Sequence, residues 1–110
     1  FPVSAGNQLR DFCYIDDVVK AILLSLNSKK SHGEIINIAS GKPTYIKKVI
    51  NSIINKVGFG KANFGKIKYR ALENMELYAD ISKARKFLKW RPTIRLDEGL
   101  KLTINSIQKK

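Results

Sequence analysis

One short apolar run sets the hardest constraint on what this chain can fold into. In the stretch "GEIINIASGKP", Ile35, Ile36, Ile38 and Ala39 form a continuous apolar segment closed by Gly41 and Pro43. That pattern reads as a strand buried on both faces of a parallel sheet. A lone strand is not viable, because strands need neighbours to satisfy their backbone groups. Helical patterns lie on either side of it, so the class is α/β, mostly helical with a few short strands. The sheet must be completed from elsewhere. The opening "FPVSAGNQ" has no initiator methionine and no recognisable element onset, and it reads as the middle of a longer protein.

Four helices are expected around this run. Asp16 is a good N-cap for a helix carrying Val18, Val19, Ile22, Leu23 and Leu26, which fades at "NSKKSHG". Thr44 can cap a second helix, whose Ile46, Val49, Ile50, Ile53, Ile54 and Val57 form a full apolar stripe ended by "GFGKANFGK". "KIKYR" reads as a short extended segment. "DISKARKFLKW" fits a third helix with Ala84, Phe87 and Leu88 on one face, stopped by Pro92. "LDEGLKLTINSIQKK" fits a fourth, with Leu96, Leu100, Ile104 and Ile107 inward. Its Asp97 and Glu98 at the start, and Lys109 and Lys110 at the end, suit the macrodipole.

The 110 residues allow one domain with a modest core. No apolar run approaches membrane-spanning length, and the single Cys13 forms no internal disulfide, so a reduced, cytoplasmic protein is expected. The formal net charge of +12 invites a nucleic-acid reading. Against it, the lysines are scattered, no block of five like charges occurs, and aromatics do not alternate with basic residues as stacking platforms would require. A basic polyanion-binding module remains one alternative function, and an inert truncated remnant the other.

The nine residues "LRDFCYIDD" crowd three aspartates around Arg10. Asp16 and Asp17 precede an apolar helix, where capping accounts for them without chemistry. Asp11 reads as a local pairing or capping group. His32 stands alone on a polar turn, and no metal site is expected. Arg10 offers a planar, permanently charged fork that matches phosphate oxygens, the alternative being a salt bridge to Asp11 or Asp17. Phe12 reads first as core packing. Trp90 with Pro92 reads as a structural plug at the end of the third helix. "SGKP" has one glycine and no G-K-[ST] ending, so it is not a phosphate loop. The GxG at Gly58 and Gly60 follows a helix rather than opening one.

Four blocks in order, "RDFCYIDDVVKAI", "GEIINIASGKP", "ENMELYADISKARKFLKWRP" and "LDEGL", closely resemble the C-terminal part of the extended short-chain dehydrogenase family. These are the NAD-dependent nucleotide-sugar epimerases and dehydratases of the UDP-galactose 4-epimerase kind. The likeness runs over almost the whole chain. It implies a Rossmann-type parent that uses NAD or NADP to oxidise an activated sugar transiently, then epimerise, dehydrate or reduce it (isomerase, lyase or oxidoreductase chemistry). The family's glycine-rich turn and its tyrosine–x–x–x–lysine pair are not in these 110 residues, so the chain alone is expected to be inactive and to bind no cofactor. Residues 1–110 would be the nucleotide-sugar-binding portion, with a helix and strand at about 16–40 completing the N-terminal Rossmann domain.

The same resemblance assigns substrate-binding roles. Arg10 and Arg70 would hold the diphosphate of a nucleotide-diphosphate sugar, Glu73 a ribose hydroxyl, and Phe12 would stand near the nucleotide. Glu73 replaces the aspartate of the epimerase pattern. Self-association through uncovered apolar surface is also expected.

Overall fold

The computed structural model describes residues 1–109. Three short strands form one small sheet: β1 (Leu9–Asp11), β2 (Pro43–Tyr45) and β3 (Glu76–Leu77), in the order β2-β1-β3. β1 runs antiparallel to β2, with Arg10 opposite Thr44, and parallel to β3, with Arg10 opposite Leu77. The helices are α1 (Ile15–Leu26), α2 (Ile46–Val57), α3 (Ser82–Leu88) and α4 (Leu96–Gln108). Helix α1 packs on α3, and α2 on α4. The central strand carries Arg10 and so places that residue where segments remote in sequence meet.

The run that dominates the sequence does not become a strand. Residues 34–38 take no regular element, residue 39 is a bend, none of them pairs with a strand of the described residues, and Ile35 is 85% exposed. Ile36 and Ile38 turn inward against the core while Ile35 and Asn37 turn out, the two-residue alternation of a strand without its ladder. The described residues place no strand beside it, and the alternation alone cannot supply the missing hydrogen bonds. "KIKYR" is likewise not a strand: Lys66 and Ile67 form a bend and residues 68–70 take no regular element.

Helix ends differ from expectation for identifiable reasons. Tyr14 and Tyr45, not Asp16 and Thr44, occupy the N-cap positions of α1 and α2, and neither side chain caps. Thr44 is committed to β2. Helix α2 keeps its apolar stripe and ends at Gly58, which adopts φ +90. Helix α3 stops earlier than Pro92 requires: Lys89 turns left-handed at φ 51, and the Trp90 N–H returns to the Ala84 carbonyl. In α4, Ile107 is 65% exposed rather than inward. Lys109 caps the helix, and Lys110 lies outside the described residues.

The core is a small cluster of Ala21, Ile81, Ala84, Leu88 and Trp90. Trp90 is 3% exposed, and its indole N–H donates to the Asp17 carbonyl (2.9 Å), so the expected structural plug is present. The radius of gyration is 16.4 Å, against about 13 Å for a compact chain of this length. The molecule is a slab only 19 Å thick in its shortest dimension. Much apolar surface therefore stays in water, including Ile15, Val19, Ile22, Leu23 and Leu26 along one side of α1.

Candidate functional site

The site begins at a close backbone approach. Gly6 (φ +75) accepts the Lys47 N–H at 2.9 Å, and a Cβ there would lie 2.9 Å from the Lys47 backbone nitrogen. Only glycine admits that contact, which holds the segment before β1 against the start of α2. Arg10 follows on β1. Its Nη1 donates to the Leu9 carbonyl (2.9 Å) and its Nη2 to Glu73 Oε1 (2.9 Å). Sixty residues later the chain returns in a turn in which the Glu73 N–H donates to the Arg70 carbonyl. Leu72 within it adopts φ 61, a conformation that costs a branched residue about 1–2 kcal/mol. The turn lets Arg70 Nε reach the other carboxylate oxygen, Glu73 Oε2, at 3.3 Å.

One carboxylate therefore serves two guanidinium groups. Glu73 is largely buried, with 12% of its side chain exposed; Arg10 exposes 22% and Arg70 89%. Two positive charges meet one negative, leaving an excess positive charge at a concave place. Beside it, Val3, Ile46, Ile50 and Ile67 line a cleft of about 330 Å³, with Gln8, Arg70 and Glu73 also on its wall. The exposed Arg70 contact contributes about 0–1 kcal/mol, so Arg70 is free to swing toward a ligand. The more enclosed Arg10–Glu73 contact is the anchor.

The structure thus brings together Arg10, Arg70 and Glu73 of the expected site residues. It does not bring Phe12 to them. Phe12 lines two other clefts, with Pro92, Thr93, Ile94, Arg95 and Leu96 in common or in part. Arg10 pairs with neither Asp11 nor Asp17. His32 is exposed, and among the described residues no group of three His, Cys, Asp or Glu side chains is placed to hold a metal ion. Cys13 is half-buried; burial first, then the charges of Asp17 and Asp11, push its thiol pKa up, against thiolate chemistry.

Asp11 and Asp17 tie down remote loops and cap no helix. Asp11 accepts from the Ser40 N–H (2.7 Å), the Ser40 hydroxyl (2.6 Å), the Gly41 N–H (2.9 Å) and the Ala79 N–H (3.3 Å). It gathers two loops beside Arg10. The amides that a phosphate loop at "SGKP" would offer are thereby already occupied. Gly41 (φ +73) makes that turn where a Cβ would crowd Ile81 at 3.2 Å. Asp17 is fully buried and accepts from the Thr93 N–H (3.1 Å), the Thr93 hydroxyl (2.9 Å) and the Ile94 N–H (2.9 Å). Burial alone would raise its pKa; the hydrogen bonds from Ile94 and Thr93 and the charge of Lys20 outweigh that and hold it low. In sequence, a carboxylate before a helix looks the same whether it caps that helix or binds a remote turn.

A mostly helical α/β slab, with a small sheet that presents an arginine pair around a shared carboxylate, has the architecture of one part of a Rossmann-type epimerase or dehydratase. Residues 2–103 match the family model described as GDP-mannose 4,6 dehydratase, and the chain belongs to that family of extended short-chain dehydrogenases. The chain is 41% identical over 101 residues to a UDP-glucuronate 4-epimerase of Thermodesulfobacterium geofontis, covering 91% of this chain and 30% of that protein. It superposes on a Bacillus cereus UDP-glucuronic acid 4-epimerase, solved with UDP-glucuronic acid and NAD, with a TM-score of 0.84 and 34% identity, covering 98% of this chain and 35% of the other. On a Thermotoga maritima UDP-glucose 4-epimerase solved with UDP-glucose the TM-score is 0.88 at 29% identity, covering 98% and 34%. The chain spans about a third of the length of the curated relatives and solved structures it matches.

Proposed function

We propose that this chain is the substrate-binding portion of an NAD(P)-dependent nucleotide-sugar epimerase or dehydratase, and that it holds the nucleotide diphosphate so that the sugar faces the cofactor. The observation that carries this reading is the single Glu73 carboxylate shared by Arg10 and Arg70, which leaves excess positive charge beside the cleft. Guanidinium forks match phosphate oxygens in shape and charge. The diphosphate takes over the two arginines, and Glu73 is released to a ribose hydroxyl. The free protein thus keeps the arginines gathered around an internal anion, and catalysis by the whole enzyme draws on that positioning. The strained turn at Leu72, which sets Arg70 and Glu73 side by side, supports a role beyond structure.

Gly58 and Gly60 follow α2 instead of opening a helix after a strand, so this G-x-G is not built for a pyrophosphate of NAD, and the cofactor is assigned to the rest of the whole enzyme. The uncovered side of α1 and the unpaired segment 34–39 support a second part of the proposal. They pack on, and add a strand to, a cofactor domain in the whole enzyme. Calorimetric titration with UDP-glucose tests the binding role. Removing the Arg10 or Arg70 guanidinium should weaken binding about ten- to a hundredfold, the worth of a charge-assisted hydrogen bond. Equal affinity in Arg10→Ala, Arg70→Ala and the parent chain would overturn the assignment.

A further inference from the structure

Among the described residues, two that are not glycine have positive φ: Leu72 and Lys89. Lys89 has a local reason for it. It closes α3, and its N–H returns to the Ala84 carbonyl. Leu72 ends no helix. It is the third residue of the four-residue turn in which the Glu73 N–H donates to the Arg70 carbonyl (3.1 Å), a position where glycine or asparagine supplies positive φ without strain. Packing does not hold it there either, since the leucine is fully exposed.

What keeps the turn shut is that one backbone hydrogen bond and the ion pairs at its ends. Arg70 Nε donates to Glu73 Oε2 at 3.3 Å, and Arg10 Nη2 fixes the other carboxylate oxygen at 2.9 Å. With 89% of the Arg70 side chain in water, its contact is worth about as much as the left-handed backbone costs. A turn balanced this closely has a second state within reach, and a ligand that takes Arg70 from Glu73 shifts the population toward it.

Resting on the nucleotide-diphosphate reading above, we infer that Leu72 is a positioning residue that acts through Arg70. Its strained backbone keeps the 70–73 turn ready to open, and the diphosphate opens it by drawing Arg70 off Glu73. The sign of the coupling is fixed by where the strain resides. The free turn carries it and the liganded turn does not, so it raises the free state alone and favours binding. A residue at ease with positive φ should therefore stabilise the free protein and weaken its affinity. A residue that only shapes the turn would change stability and leave affinity alone.

Thermal melting and calorimetry with UDP-glucose on the unaltered chain, Leu72→Asn, Leu72→Gly and Leu72→Ala test this. Asparagine and glycine tolerate the left-handed region, whereas alanine keeps a Cβ and with it the strain. Leu72→Asn should melt higher than the unaltered chain and bind UDP-glucose about fivefold more weakly. Leu72→Gly should bind more weakly too, and Leu72→Ala should match the unaltered chain in both readouts. Backbone chemical shifts at residue 72 should be left-handed in the free unaltered chain and lose that character with UDP-glucose bound. A higher melting temperature of Leu72→Asn with unchanged affinity, or left-handed shifts that persist in the complex, would overturn the inference. Equal losses of affinity in Leu72→Ala and Leu72→Asn would assign the effect to the leucine side chain and overturn it as well, as would a melting temperature of Leu72→Asn no higher than that of the unaltered chain. In each of those cases the unaltered chain still binds and the arginine assignment stands. Failure of the unaltered chain to bind UDP-glucose would remove the nucleotide reading and this inference with it.

Discussion

Replacing Asp17 should be among the most damaging single changes this chain can undergo. The residue is fully buried, yet its carboxylate is charged at neutral pH and accepts from two backbone N–H groups and one hydroxyl of the Thr93–Ile94 turn. In Asp17→Ala the Thr93 hydroxyl can find another partner, but the two N–H groups cannot move without the turn. At about 1–3 kcal/mol for each of the two stranded groups, the loss is about 2–6 kcal/mol, a range that includes the cost of breaking a buried charged pair. Domains of this size are stable by about 5–15 kcal/mol, and a thin slab with five core residues belongs at the low end. Asp17→Ala should therefore be largely unfolded at 37 °C. Asp17→Asn keeps one acceptor oxygen and should lose about 2 kcal/mol. Urea unfolding followed by Trp90 fluorescence reads this directly, since Trp90 donates to the Asp17 carbonyl. The pH dependence has a definite sign. The folded pKa lies below the unfolded one, so the stabilisation is complete above the unfolded pKa and is lost as pH falls through the folded value. Asp17→Asn should consequently lose less stability on acidification than the parent chain. A loss below about 1 kcal/mol in both variants, or parallel acid profiles, would refute the tether.

Asp11→Ala should free the loops at Ser40–Gly41 and Ala79, seen as faster hydrogen exchange at the Gly41 and Ala79 amides, and should weaken nucleotide binding through Arg10's surroundings; unchanged exchange would count against a clasp. The chain should self-associate through α1, and Leu23→Lys with Leu26→Lys should reduce the light-scattering mass at high concentration without lowering the melting temperature. A strictly monomeric parent chain would contradict that.

Helix existence was legible wherever a stripe was long. The spacing from Ile46 to Val57 marked α2 to within its observed ends, because a 3.6-residue period over three turns has no strand equivalent. The run at 35–39 pairs with no strand among the described residues, because an apolar run marks a candidate strand but not its partner. The three strands that do form are two or three residues long, too short for any alternation to register. Caps failed for a related reason: Asp16, Asp17 and Thr44 are the right residue types, and tertiary partners or a sheet position claimed two of them. Arg10, Arg70 and Glu73 were picked out by family likeness; that they share one carboxylate was beyond reach, since the sixty-odd residues between them carry no signal of their meeting.

The central claim is most directly tested by a crystal structure of the chain with UDP-glucose. The expected result is a diphosphate lying between the Arg10 and Arg70 guanidinium groups, with Glu73 withdrawn from Arg10 toward a ribose hydroxyl. A nucleotide bound elsewhere, with both arginines still on Glu73, would contradict it.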